Sequence, residues 1–239
     1  MIIDFHCHVG NDYSDGGSLD FDELKKSMDK WGIDKSVVFP FSGSHREMIE
    51  NSLEILEKSK KDNWVIPFLR FNPSEIEENE LRKLLEKDFK GIKLHPRGQD
   101  FVIDDPKFYW IYEMCERKNL PILFHTAVKH EGSKPEKILN IAKEFPKLNL
   151  VMAHFFGDDL RLIKIIKEYP NVYTDTSIHS RTLRLNQGVY KYDFKNFLFG
   201  SDIPYDSQGV ALLKIEESEF KEDDKALILG KNAKKILNL

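Results

Sequence analysis

Eight short runs rich in apolar and β-branched residues recur along the chain, and they constrain its fold more than any other feature. They are IIDFHCH (2–8), KSVVFPF (35–41), VIPFLRF (65–71), GIKLHP (91–96), PILFHT (121–126), LNLVMAH (148–154), NVYTDTS (171–177) and NFLFGSD (196–202). Start to start they lie 23 to 33 residues apart. Each has the length of a strand rather than a helix. The intervals carry helical periodicity instead. LDFDELKKSMDKWG opens after Ser18, a residue type suited to a helix N-cap, and stops at Gly32. HREMIENSLEILEKSKK, SEIEENELRKLLEKDF, DPKFYWIYEMCERKN, PEKILNIAKEF and DDLRLIKIIKEY follow the same logic, with acidic starts and Lys-rich ends that suit the helix dipole. This alternation predicts an α/β protein, a (β/α)8 TIM barrel of the metal-dependent hydrolase type, in one domain over residues 1–239. A doubly wound open sheet is the rival. Eight strands, and no glycine-rich loop after the first, favour the barrel. The final stretch DDKALILGKNAKKILNL reads as a helix pair, and residues 178–195 as a loop plus a helix.

Composition narrows the function. A net charge of -4 offers no general attraction to nucleic acid or to an anionic membrane, so neither is an expected partner. The two cysteines, Cys7 and Cys115, make no disulfide framework and read as reduced thiols of a cytoplasmic protein. No basic segment followed by an apolar one opens the chain, so no secretion signal is expected. No apolar stretch approaches the ~20 residues of a membrane span.

Polar residues fall at one end of the runs. Strand side chains alternate between faces. In the first run this places Asp4, His6 and His8 on one face, and Ile3, Phe5 and Cys7 on the other, against the helices. Catalytic groups of such barrels sit at the C-terminal ends of the strands. His6, His8, His95, His125 and His154 all lie there, five of the eight histidines in the chain, together with Asp202. Burying so many titratable groups is costly unless they share a partner, and a cation is the simplest one. Histidine and aspartate ligands suit one divalent ion, Zn first, with Mn, Fe or Co also accepted. Such an ion makes bound water nucleophilic near neutral pH, and Asp202 is placed to move its proton.

The HxH of IDFHCH, GIKLHP, ILFHT, LVMAH and LFGSD, in this order and spacing, resemble the amidohydrolase superfamily. The match is to amidohydrolase family 2, the branch of metal-dependent hydrolases and decarboxylases that includes aminocarboxymuconate-semialdehyde decarboxylase. LGKNAKKIL is similar to the helix that often ends those chains. The resemblance implies metal ligation by His6, His8, His125 and Asp202. It implies that His154 polarises substrate or water, and that Asp202 also shuttles the proton. In binuclear relatives a lysine at the place of Lys93 bridges two metals. In the single-metal branch it reads as a structural or substrate-binding cation. TatD-like nucleases share the histidine and aspartate pattern, but they carry a glutamate where this chain has GIKLHP.

Arg70, Lys93, His95 and Arg97 are the candidate substrate contacts, since cations at a barrel mouth suit an acidic substrate. For Arg70 the alternative is an ion pair with an acid such as Asp4. Asp4 itself is expected to buttress a ligand histidine or to pair with Lys93. His179 and Arg181 fall on a lid-like loop, and His45 and His130 on the surface. Phe155 and Phe156 are expected either to wall the pocket or to pack. The reaction expected first is hydrolysis of an ester, lactone or amide in a small molecule. The alternative is non-oxidative decarboxylation of an aromatic or unsaturated acid, and the remaining one is an inactive metal-binding scaffold. A homodimer is common among the relatives.

Overall fold

A computed structural model describes residues 1–12, 16–157, 159, 161–178 and 194–239. One nine-stranded sheet runs in the order β2-β1-β3-β4-β5-β6-β7-β8-β9. Its strands are β1 (Ile3–Asn11), β2 (Ser18–Leu19), β3 (Lys35–Pro40), β4 (Val65–Arg70), β5 (Gly91–Leu94), β6 (Ile122–Phe124), β7 (Leu150–Met152), β8 (Val172–Asp175) and β9 (Phe197–Leu198). The two-residue β2 pairs antiparallel with β1. The other eight correspond to the eight runs and pair in parallel. The sheet then closes on itself. The Phe5 N–H donates to the Phe199 carbonyl (2.8 Å), that of Asp202 to His6 (2.8 Å) and that of His8 to Ile203 (2.9 Å). Closure removes the open edges a parallel sheet would otherwise expose.

Helices α1 (Phe21–Trp31), α2 (His45–Lys61), α3 (Glu78–Leu85), α4 (Tyr109–Arg117) and α5 (Pro135–Glu144) fill the predicted intervals. Ser18 is not the cap of α1, because it pairs in β2. Asp20 caps it instead. Its carboxylate accepts the Glu23 N–H (2.8 Å), and Glu23 accepts the Asp20 N–H (3.0 Å), so two end donors are satisfied reciprocally. The expected C-terminal helix pair is one helical run, Glu222–Ala226 and Asn232–Leu237, joined by a π turn at Leu227–Lys231. The predicted loop and helix at 178–195, with His179 and Arg181, fall almost wholly outside the described residues. No helix among the described residues is long and apolar enough to cross a membrane.

Strand β1 corrects the simple alternation. Asp4 pairs with Ser36 and Cys7 with Val38, so three steps along β1 match two along β3. The extra residue turns the remainder of the strand over. Ile3 and Phe5 face the barrel interior, where Phe5 meets Phe68 edge-on at 5.6 Å. His6, the next residue, faces inward too, 5.3 Å from the Phe39 ring. Asp4 points outward to Gln208, and Cys7 and Val9 join the outer core beneath the helices. Asp4 therefore shares a side with Cys7, not with the histidines. It pairs neither with Lys93 nor with Arg70. It accepts the backbone N–H of His6 (3.1 Å) and holds Ser201 across the seam where the barrel closes.

Candidate active site

The C-terminal mouth of the barrel opens into a cavity of ≈ 550 Å³. His6, His8, Lys93, His95, His125, His154 and Asp202 line it, with Arg70 and Arg97 on the same wall system. Every site residue expected from the sequence thus reaches one cavity, although β1, β4, β5 and the segments after β5, β6, β7 and β9 supply them.

The densest contacts surround Asp202. Its Oδ1 lies 2.9 Å from His6 Nε2 and 3.0 Å from His8 Nε2. Its Oδ2 lies 3.9 Å from His154 Nδ1. His6, His154 and Asp202 each bring a donor atom within 4.8 Å of the others. His125 enters through His154, its Nδ1 lying 3.0 Å from His154 Nε2. On its other face His125 stacks on His95 at 3.8 Å.

Asp175, at the end of β8, was missed in the sequence. Its Oδ2 sits 2.7 Å from His6 Nδ1. Its Oδ1 accepts the backbone N–H of His154 (3.0 Å) and both the N–H (3.1 Å) and hydroxyl (2.5 Å) of Ser177. With Nδ1–H given to Asp175, the Nε2 lone pair of His6 points at Asp202. A lone pair and a carboxylate oxygen at 2.9 Å repel unless a cation or a proton lies between them. Ligand atoms sharing one Zn²⁺ at ~2.0–2.2 Å stand at similar mutual separations, and a carboxylate behind the ligand histidine is a recurrent support for metal binding. The donor set fits a divalent ion. Asp175 belongs to the polar tail TDTS of the seventh run, so the rule that found the histidines would have found it. Asp12 and Tyr205, hydrogen-bonded to each other on the cavity wall, carried no periodic signal.

His154 is aimed by an unusual backbone. After β7 the chain runs through four left-handed residues, with φ of 60°, 51°, 63° and 60° at His154, Phe155, Phe156 and Gly157. Left-handed geometry costs a non-glycine residue roughly 1–2 kcal/mol. Asp175 holds the His154 N–H, and Thr174 Oγ1 accepts that of Phe156 (2.9 Å). Gly157 is required where it stands, since a Cβ would lie 2.9 Å from the Ala127 nitrogen. The same turn sends Phe155 and Phe156 into the outer core, so they pack and do not wall the pocket.

Burial and charge set the protonation states. Burial would raise the Asp202 pKa, but His6 and His8 hold it well below the usual carboxylate range. Burial and Lys93 oppose a charge on His6, yet Asp202 and Asp175 raise its pKa overall. Burial pushes Lys93 down to about 7, its Nζ lying 2.9 Å from His6 Nε2. Arg70 is fully buried. It donates to the Pro40 carbonyl (2.8 Å) and to Ser42 Oγ (2.5 Å), and its Nε has no partner among the described residues. Burial lowers its pKa to about 10, so it keeps its charge, with no carboxylate in ion-pair contact among the described residues.

Burial also pushes His8 to about 3, His95 to about 2 and His154 to about 4. In the unfolded chain each titrates near ~6.5. Below that pH the unfolded state binds more protons, so stability falls as pH falls from ~6.5 toward these values, by up to ~1.4 kcal/mol per pH unit for each histidine. His6, whose pKa is raised, offsets one of them. The melting temperature of metal-stripped protein should therefore drop between pH 7 and pH 5. A flat profile would show that these rings are not held neutral.

The sequence profile of the amidohydrolase family, family 2, matches residues 3–239. A dihydroorotase of Helicobacter hepaticus is 23% identical over 128 residues, 48% of this chain and 37% of its own length, so the match spans little more than a third of that relative. Among solved structures, 2,6-dihydroxybenzoate decarboxylase from Rhizobium superposes with a TM-score of 0.80 at 16% identity, covering 99% of this chain and 98% of its own. A dihydroxybenzoic acid decarboxylase from Polaromonas sp. JS666, with bound manganese and the inhibitor 2-nitroresorcinol, superposes at 0.78 and 15% identity, covering 100% and 97%.

Proposed function

Because this chain belongs to the amidohydrolase family and is an enzyme of its metal-dependent kind, we propose that it removes the carboxyl group of a small aromatic or unsaturated acid without net oxidation. The observation that carries this reading is Arg70, a buried cation on the cavity wall that makes no ion-pair contact with a carboxylate among the described residues, the charges of Asp12 and Asp202 acting on it only from further off. A buried charge is retained at such cost where a ligand completes it. An acid substrate supplies that partner, and Arg97 and Lys93 line the same cavity. The likeness in fold to two decarboxylases over nearly the whole chain supports the choice of decarboxylation over hydrolysis.

His6, His8 and Asp202 would hold one divalent ion, with His125 and His154 completing the set; Zn is the first candidate, then Mn, Fe and Co. The ion, when bound, supplies Lewis-acid polarisation of a substrate oxygen. Arg70 orients the substrate through its carboxylate. As carbon dioxide leaves, the electron pair of the broken C–C bond stays on carbon, which must take a proton. Asp202, held ionised with His154 3.9 Å away, is placed to take a proton from solvent in the cavity and hand it to that carbon. Hydrolysis of an ester, lactone or amide stands as a second reading, favoured by the same Asp202, which could take the proton of an attacking water, and by the partial match to a dihydroorotase.

The test is carbon dioxide release from a panel of hydroxybenzoates and unsaturated acids, run beside a panel of lactones and cyclic amides. Turnover confined to the second panel would replace decarboxylation with hydrolysis. Untagged protein purified without added metal should carry near one equivalent of Zn, Mn, Fe or Co by elemental mass spectrometry. Two equivalents would move Lys93 to a bridging role. Asp175→Asn should weaken metal affinity about 10–100-fold in competition with a chromophoric chelator. The amide oxygen would keep the donors of His154 and Ser177, and its NH₂ would then face the Nδ1–H of His6. Unchanged affinity would remove Asp175 from the support of the site.

A further inference from the structure

His95 follows β5, and every polar handle it has but one is occupied. Its backbone N–H donates to Gln99 Oε1 (2.5 Å), and its carbonyl accepts the Gln99 N–H (2.9 Å). Gln99 is buried and anchored in turn, its Nε2 donating to the Phe71 carbonyl (2.5 Å). The His95 ring lies flat on His125, with 3.8 Å between centroids and 8° between planes. Its Nδ1 accepts the backbone N–H of Gly98 at 2.9 Å. A ring nitrogen that accepts carries no proton, so the ring is neutral and its proton sits on Nε2. Gly98 permits this approach, since a Cβ there would lie 3.2 Å from Nδ1 and 3.4 Å from Ser42 Oγ. The remaining atom, Nε2, has no protein partner among the described residues, and His95 lines the cavity.

We propose that His95 is a specificity-determining residue, a donor locked in one tautomer that gives its Nε2–H to an acceptor oxygen of the bound substrate. The inference rests on the reading of the cavity as a site for a small acid. A histidine free to change tautomer serves a donor or an acceptor equally well; this one serves only an acceptor. Its neighbours on the wall agree. Arg70 can only donate. Ser42 Oγ accepts from Arg70 Nη2 (2.5 Å), which leaves its hydroxyl proton to give. These three side chains therefore select a carboxylate, phenolate or carbonyl oxygen where they stand. An ammonium or amide N–H in that place is disfavoured, because donors facing donors leave buried groups unpaired.

Two measurements test this. In histidine-labelled wild-type protein, the ring nitrogens of His95 should show a pyridine-type Nδ1 and a pyrrole-type Nε2 by ¹⁵N NMR. A protonated Nδ1 overturns the proposal, and this readout needs no variant. Benzoate and benzylamine are then titrated into wild type and His95→Phe, which keeps a flat ring on His125 and removes the donor. Benzoate should bind wild type and bind the variant about tenfold more weakly, as expected for a hydrogen bond to a charged group; benzylamine should bind the variant no more weakly than wild type. Equal benzoate affinity in the two proteins overturns the role of His95. So does failure of wild type to bind benzoate. Neither result touches decarboxylation itself, which the carbon dioxide assay decides separately.

Discussion

Asp202→Asn should lower turnover by about 10³-fold or more and leave the protein folded. General acid–base catalysis by a placed side chain is worth roughly 10²–10⁴-fold, and Asp202 also collects His6 and His8 on one oxygen. Asparagine keeps an oxygen but cannot take up and release a proton. Its amide would also set N–H groups against neighbours that now meet a carboxylate. The fold should survive, because the backbone of residue 202 ties the barrel through its N–H to His6, a bond independent of the side chain. Residue 202 is left-handed, with φ 66°, and asparagine tolerates that region as readily as aspartate. The check is kcat on whichever acid the carbon dioxide panel identifies, beside a thermal melt by circular dichroism. Activity within tenfold of wild type, in a variant that melts normally, would remove Asp202 from the proton path.

The largest effect on stability is expected at Asp4, which points away from the cavity. Asp4→Ala should cost about 3–5 kcal/mol, in the range for breaking a buried charged network. Asp4 Oδ1 accepts the N–H groups of Ser201 (2.9 Å) and His6 (3.1 Å), and Oδ2 accepts the Ser201 hydroxyl (2.6 Å) and Gln208 Nε2 (2.8 Å). Alanine leaves these donors buried without an acceptor, at the one seam where first and last strands meet. At about 2–4 °C per kcal/mol for a chain of this size, the melting temperature should fall by roughly 10 °C. A fall of less than about 3 °C would mean that the seam is held by its backbone bonds alone.

Much of the fold was legible because it rests on local signals. Alternating apolar runs and capped amphipathic intervals marked strands and helices, and α2 was read to its ends as His45–Lys61. What failed were the places where a partner distant in sequence overrides a local pattern. Ser18 looks like a cap, but pairing with β1 takes it into β2, and the reciprocal bonds of Asp20 and Glu23 start α1 instead. Phe155 and Phe156 stand beside a cavity histidine in sequence. The left-handed turn, held by Asp175 and Thr174 from the neighbouring strand, sends them the other way.

The site divides along the same line. By itself the sequence determined that five histidines and an aspartate gather at one end of the strands, because strand ends follow from local pattern and a barrel sends all of them to one mouth. Only the tertiary structure decided which atoms face one another. The bulge in β1 turns Asp4 outward and sets Phe5 and His6 side by side facing inward. Asp175, 169 positions further along the chain, reaches the Nδ1 of His6, and a backbone amide three residues beyond His95 chooses its tautomer. Register, the facing of a side chain and the placement of a proton depend on hydrogen bonds between segments remote in sequence, and no periodicity along the chain encodes those.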